Sequence, residues 1–359
     1  MSTPDGHALV AKPEVSLKSE VPKSSMSQQS LFPWMVAEGV DGPGRASPFE
    51  RRSRQLELWA DMAQHAYAPN TIRAWKNDWH AFLEFTRLAQ LPSLPSTPET
   101  VRSFLLARAE SGLAMSTLRR LCSSIARVHR AADLPNPTES EAVRLALRAY
   151  ARQIGTRQRQ ARGMIWREIY TYLRQAPTNL RDLRDRALVC VAYDGSLRPD
   201  ELVNVDLEHV RFEGQGLATL FIPRSKGDQE GEGAVAPIVP RSVMCLREFL
   251  DQSEIETGAL FRRIIGHDSL GERLTTQSVS DVFQRIGRVI GLPESEWRGL
   301  SGHSARVGST QDLFAANVEL PAIMQQGRWK DARMPIRYGE RLSVARGAMV
   351  RLATRQGRF

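Results

Sequence analysis

Lysine is scarce in this chain. Of 49 basic residues only six are lysine: Lys12, Lys18, Lys23, Lys76, Lys226 and Lys330. Arginine keeps its proton near neutral pH, whereas a lysine in a suitable environment can release one. Proton transfer by a basic side chain therefore has few candidate positions. Cysteine is scarcer still. Cys122, Cys190 and Cys245 stand far apart and match no metal-binding spacing, which excludes a disulfide scaffold and a zinc motif and suits reduced thiols. No apolar run approaches the roughly 20 residues of a membrane span. The N-terminus carries no apolar block behind a basic start, so no secretory signal is expected and the cytoplasm is the expected compartment. A GxxxxGK[ST] loop is missing, and no acidic cluster suits a divalent cation. Neither ATP nor a metal is expected as a cofactor.

Positive charge is what the chain has in excess. The formal balance is +9, with 49 Lys and Arg against 40 Asp and Glu. Residues 1–50 hold four basic and six acidic residues, so residues 51–359 carry 45 − 34 = +11. The excess belongs to the folded part and favours a polyanionic partner, most simply nucleic acid.

The first 50 residues are rich in Ser, Pro and Gly and lack periodicity, so 1–50 reads as a disordered tail. Its apolar island, SLFPWMVAEGV (30–40), could be a short docking segment. Residues 51–155 are patterned as a helical domain. PNTIRAWKNDWHAFLEF places Ile72, Trp75, Trp79 and Phe82 at helical spacing, with Asn70 as the expected cap. A second helix opens at Thr97 and Pro98 and closes at Gly112. In STLRRLCSSIARVHR, Leu118, Leu121, Ile125 and Val128 share one face. The spacing of Thr138 and Glu141 predicts a capping box. Residues 156–163 are expected to be a basic linker; RQIGTRQRQAR (152–162), which overlaps it, reads as exposed and able to follow a phosphate backbone. A catalytic domain is expected over 164–359. It is mostly helical, except that LATLFIPRSKGDQEGEGAVAPIVP reads as a β-hairpin around a Gly-rich acidic turn.

The chemistry concentrates late in the chain. Residues i and i+3 share a helix face, so His303 and Arg306 are expected to point the same way, as are Arg198 and Glu201. Two arginines from separate helices can grip one phosphodiester and stabilise charge on its oxygens in the transition state. Glu201 would orient a partner, with the histidine as one choice. Tyr338 would be the nucleophile. Its phenol is largely protonated at neutral pH and needs a base or a cationic surround. Lys226 suits the protonation of a leaving sugar oxygen. Trp329 would close the pocket and offer its indole N–H. Each residue also has a plain structural reading: Tyr338 as a surface aromatic, Trp329 as core, Lys226 as a loop charge. The ordered set is what singles them out.

That set, with SGHSARVG (301–308) and GAMVRL (347–352), resembles the signature of the tyrosine site-specific recombinases, also called the phage integrase family. The similarity extends over most of 60–355. It implies a mainly α fold, with a helical N-terminal core-binding (SAM-like) domain and a mostly helical catalytic domain. It implies cleavage through a 3′-phosphotyrosine, resealing by a second 5′-hydroxyl, and passage through a Holliday junction without ATP or metal. The implied partners are double-stranded DNA with inverted-repeat sites and three further copies of the chain, joined through the C-terminal segment. Where the family often has a second histidine, this chain has Trp329. By the same resemblance, the helix beginning near Gln277 and the basic helix from Ser116 enter the major groove. Gln277, Arg73, Arg119 and Arg120 are then candidate DNA contacts, with glutamine suited to adenine. The alternatives are a type IB topoisomerase or telomere-resolvase relative, and a non-catalytic DNA-binding protein of the same fold. The implied setting is a prokaryotic or phage nucleoid.

Overall fold

The computed structural model describes residues 48–358, apart from 158–159, 226–227, 229–230 and 267; at 48–50 and 341–346 it describes the backbone alone. The tail's apolar island, Lys226 and the tip of the expected hairpin lie outside the described residues. The chain divides into two compact units, 1–158 and 159–359.

The first unit is helical: α1 (Pro48–Ala66), α2 (Pro69–Leu88), α3 (Pro98–Glu110), α4 (Met115–Ala131) and α5 (Glu141–Ile154). The expected apolar faces form its core, with Trp79, Phe82, Leu118, Leu121, Ile125 and Val128 buried. Phe82 meets Phe104 of α3 edge-on at 5.1 Å. Ile72 and Trp75, from the same stripe, are only half-buried. Thr97 caps α3 as expected, accepting from the Thr100 N–H at 3.2 Å. Two caps differ from expectation. Helix α2 starts one residue before Asn70, because Pro69 is preorganised for a first turn, and Ala68 supplies no side-chain cap. Helix α5 is capped by Ser140, which accepts from Val143, while Thr138 sits in a 3₁₀ turn begun by Asn136. Competition between neighbouring Asn, Thr and Ser oxygens decided that boundary.

The second unit contains α6 (Trp166–Leu173), α7 (Leu180–Asp194), α8 (Pro199–Val203), β1 (Val210–Phe212), β2 (Ala218–Ile222), β3 (Ala234–Ile238), α9 (Pro240–Ser253), β4 (Arg262–Ile265), β5 (Ser269–Arg273), α10 (Thr276–Val289), α11 (Glu294–Trp297), α12 (Ser304–Ala315), α13 (Leu320–Gly327), α14 (Arg333–Arg346) and α15 (Ala348–Arg355). Helix α7 is its axis. Residues 187–192 are apolar on every side and wholly buried, the signature of a helix with neighbours all round. The expected hairpin is β2–β3, paired antiparallel with Leu220 opposite Ala236. Leu220, Ile222, Ala236 and Ile238 face the core, while Phe221 and Val235 face outward. Two features go beyond the sequence reading: β1 extends this sheet to three strands, and β4–β5 form a separate antiparallel pair.

Candidate active site

Three chain breaks build the site. The stretch 184–205 lies in the part expected to be mostly helical, yet α7 ends at Asp194 and α8 begins only at Pro199. Between them Ser196 takes a φ of +45°, a left-handed conformation that costs energy for a residue with a Cβ. The second break starts α12, with His303 as its N-cap. The third separates α13 from α14, where Arg328 is left-handed at φ +54° and Trp329 follows. Non-glycine residues in this region cluster at functional sites.

Both i, i+3 pairs therefore act at helix starts, not within helices. Arg198 is the N-cap of α8 and Glu201 lies in its first turn. The Arg198 backbone N–H donates to Glu201 Oε2 at 2.9 Å, and its guanidinium pairs with Oε1. His303 is exposed, whereas Arg306 is buried at 1 % exposure. The His303 backbone is already helical and its carbonyl accepts from the Val307 N–H at 3.0 Å, so the pair keeps its helical spacing and differs in burial.

Arg306 donates to the Ser196 carbonyl at 2.5 Å and to the Gly327 carbonyl. Its guanidinium lies 4.2 Å from the Trp329 ring centre, and that ring meets Tyr338 edge-on at 5.9 Å. A cation over an indole face is attracted by the ring's quadrupole. Burial, then the positive charges of Arg198 and Arg328, push the Arg306 pKa down to about 9; Glu201 opposes them. The group stays cationic at neutral pH.

Glu201 is the carboxylate at the centre. Burial alone would raise its pKa, but the charges of Arg328 and Arg198 outweigh burial and hold it below the ordinary value. Arg328, which the sequence reading missed, donates to Glu201 Oε2 at 2.9 Å. Nothing in the local sequence marks Arg328 except its position beside Trp329. The backbone carbonyl of Tyr338 accepts from Gln311 on α12 at 3.3 Å, which ties α14 to the helix carrying Arg306.

The SGHSARVG stretch owes its glycines to close approach. A Cβ at Gly302 would stand 2.6 Å from Pro199, the residue after Arg198. A Cβ at Gly308 would overlap the Met164 carbonyl. Met164 in turn donates to the Ser304 carbonyl at 2.9 Å. Asp312 accepts from the Trp166 N–H at 2.7 Å and from the Tyr193 hydroxyl at 2.5 Å, which fixes α12 on α6 and α7. Arg162, read as part of a linker free to follow phosphates, is instead built into this unit through Glu168 and Glu296, each at 2.6 Å.

The structure thus brings Arg198, Glu201, Arg306, Trp329 and Tyr338 together, and His303 opens the same helix as Arg306. The DNA-contact candidates are elsewhere. Gln277 is exposed in the first turn of α10 and donates to Asp281 at 3.2 Å; the cap there is Thr275. Arg73 on α2 donates to Asn70 at 2.6 Å. On α4, Ser116 is half-buried and Arg119 exposed. Arg120 pairs with the buried Asp78 of α2 at 2.6 Å, so it also joins two helices of its own unit. Among the described residues no cluster of His, Cys, Asp and Glu suits a metal, and no helix is long and apolar enough to cross a membrane.

Comparison with known proteins gives the same picture. The profile of the phage integrase family matches residues 166–342, and that of the phage integrase N-terminal SAM-like domain matches 57–133. An integrase/recombinase XerD homolog from Selenomonas ruminantium is 31 % identical over 288 residues, covering 77 % of this chain and 83 % of that protein. The Cre recombinase of Escherichia phage P1 is 27 % identical over 327 residues, covering 86 % and 94 %. The fold is shared with the XerH site-specific recombinase bound to a palindromic difH substrate (14 % identity, TM-score 0.58, 84 % of this chain and 87 % of that one). It is also shared with a lambda integrase dimer bound to a core site (15 %, 0.53, 80 % and 76 %). A mainly helical chain with a SAM-like first part and a phage integrase second part, this protein belongs to the phage integrase family of tyrosine recombinases, whose members are DNA strand-transferring enzymes.

Proposed function

We propose that this chain is a site-specific recombinase that cuts and rejoins double-stranded DNA through Tyr338. One observation carries the reading: Arg306, Trp329 and Tyr338 form a contiguous row, while Arg198 shares the buried Glu201 with the same turn. A phosphodiester seated beside Arg198 and Arg306 receives charge-assisted hydrogen bonds that strengthen as its oxygens gain charge. The Tyr338 oxygen attacks phosphorus and the 5′-oxygen of the next nucleotide leaves. Attack forms a 3′-phosphotyrosine and a free 5′-hydroxyl. His303 serves the proton movement at the phenol. Lys226 protonates the leaving oxygen, a role open to lysine and closed to arginine. The covalent link conserves the bond energy, so a second 5′-hydroxyl reseals the strand without ATP. Trp329 holds the pocket shut and offers its indole N–H to a phosphate oxygen.

Two such rounds through a Holliday junction exchange both strands. They require four copies of the chain on two DNA sites, each with inverted repeats, in the cytoplasm on nucleoid or phage DNA. Phosphate contacts cannot choose a sequence, so side chains must reach base edges. We assign this to Gln277 at the start of α10, facing an A·T pair, and to α4 with Ser116, Arg119 and Arg120, supported by Arg73 on α2.

A DNA duplex nicked just beyond the cleavage position tests the reading. The short fragment between cut and nick, which carries the new 5′-hydroxyl, diffuses away and the covalent adduct accumulates. The wild-type protein should form the adduct. Tyr338→Phe should bind the site as before and form none. An adduct with the Phe variant would mean another nucleophile; a wild-type protein that only binds would leave a DNA-binding protein of this fold.

A further inference from the structure

The two left-handed turns of the site are joined by one side chain. Arg328 donates to the Gly195 carbonyl at 2.9 Å, the Ser196 carbonyl at 3.1 Å and Glu201 Oε2 at 2.9 Å. A further bond runs to the Gln326 carbonyl at 3.2 Å. Arg306 converges on the same backbone, since the Ser196 carbonyl accepts from it too. The hydroxyl of Ser196 meets that of Ser309 on α12 at 2.8 Å, closing the ring. Arg328 is mostly buried, and its own backbone is held at a positive φ. A glycine would take that conformation freely. The side chain therefore accounts for arginine's presence at a position where the backbone disfavours it.

We propose that Arg328 is a positioning residue for phosphate activation. It fixes Glu201, and through Glu201 it sets the guanidinium of Arg198. It also fixes the Gly195–Ser196 turn that holds Arg306, and its neighbour in the chain is Trp329. Glu201 carries one charge against three arginines. Arg328 takes Oε2, which also accepts the Arg198 backbone N–H, and leaves the Arg198 guanidinium on Oε1, so one oxygen alone orients that guanidinium. Removing Arg328 frees Oε2 to draw Arg198 into a two-pronged grip and turn its donors away from the substrate. The proposal rests on the reading of the site as one that activates a phosphodiester.

The test compares two nicked substrates, one with an ordinary phosphate at the cleavage position and one with a methylphosphonate. The methylphosphonate lacks the charge on one non-bridging oxygen, so it depends less on well-placed arginines. Arg328→Gly removes the clasp and relaxes the backbone; Arg328→Lys keeps a charge but not the fork. With either variant, cleavage of the phosphate substrate should fall by about 100-fold, the loss expected of an approximately 1 Å misplacement. DNA affinity should stay within about twofold, because Arg328 bonds to protein groups and the arginines it positions face one phosphate among many. On the methylphosphonate the loss should shrink to less than about tenfold. Equal loss on both substrates would reduce Arg328 to a structural residue, and unchanged cleavage of the phosphate would remove it from the mechanism. Both results overturn the proposal while wild-type adduct formation stands. A wild-type protein that forms no adduct on either substrate overturns the functional reading instead.

Discussion

Gly327 shows how tightly single residues are constrained around Tyr338. It ends α13, gives its carbonyl to Arg306, and lies under the Trp329 ring, where an added Cβ would overlap the six-membered ring. Its own backbone is helical, so alanine suits the main chain and improves helix propensity. Stability and activity should therefore separate in Gly327→Ala. The gain in helix propensity, about 1 kcal/mol, offsets part of the cost of displacing the ring, about 1–3 kcal/mol, so melting should change by only a few degrees. The displaced indole should lose its seat on Arg306 and its edge contact with Tyr338, and adduct formation should slow by about 10- to 100-fold. If the ring is the intermediary, Gly327→Ala combined with Trp329→Ala should be no slower than Trp329→Ala alone, since contacting residues are not additive. A fully additive double variant would show that Gly327 acts by another route.

At the level of elements, periodicity made most helices legible and chain breaks did not follow from it. The stripe through Trp79 and Phe82, and the one through Leu118 and Val128, are unambiguous because each buries one face of a long helix. The split between α7 and α8 is hidden, since every residue from 187 to 192 is buried and only Ser196 betrays the turn. Strands β4 and β5 escape because Arg262, Arg263, Glu272 and Arg273 overwrite their alternation. In the site, the residues proposed to carry the chemistry stood out by type and order, but Arg328 and Gly327 did not. Their contacts are far apart in sequence: Arg328 meets Glu201 and Ser196, and Gly327 meets Arg306.

Helix α4 carries a second such contact, with a measurable consequence. His129 is wholly buried; its Nε2 accepts from the Ser96 N–H at 3.0 Å, and its Nδ1 bonds to the Ile125 carbonyl at 2.9 Å. That pairing requires the neutral ring with its proton on Nδ1. Burial lowers the His129 pKa from the ordinary 6.5, against the pull of the Ile125 carbonyl. The unfolded chain therefore binds more protons than the folded one below about pH 6.5, and stability rises with pH there. The contribution is full above the unfolded pKa and is lost as pH falls through the folded one, with a slope of up to about 1.4 kcal/mol per pH unit. Hydrogen exchange at the Ser96 amide should accelerate between pH 6.5 and 5 beyond its intrinsic pH dependence. In His129→Gln that extra acceleration should vanish; its persistence would place the titrating group elsewhere.

For the whole molecule the open chemistry is at the end of the chain. Helix α15 buries no side chain of its own among the described residues, and Met349 and Leu352 are 66 % and 42 % exposed. Arg351, Arg355 and Arg358 surround this apolar strip. A helix that leaves an apolar face exposed is suited to a groove on another copy. Such an exchange would link four protomers on two DNA sites and place each Tyr338, one helix earlier, under the influence of the next subunit. Packing on its own subunit is the competing arrangement. Ending the chain after Gly347 keeps α14 and Tyr338 and removes α15. A single protomer should then bind a half-site with unchanged affinity. Met349 and Leu352 are each worth about 1.5–3 kcal/mol if fully buried, so the cooperative step should weaken by at least about tenfold. Recombination of paired sites should fall with it, while adduct formation on a nicked site persists at a reduced rate. Full cooperativity in the shortened chain would show that α15 serves its own subunit, and assembly would then have to be carried by other surfaces.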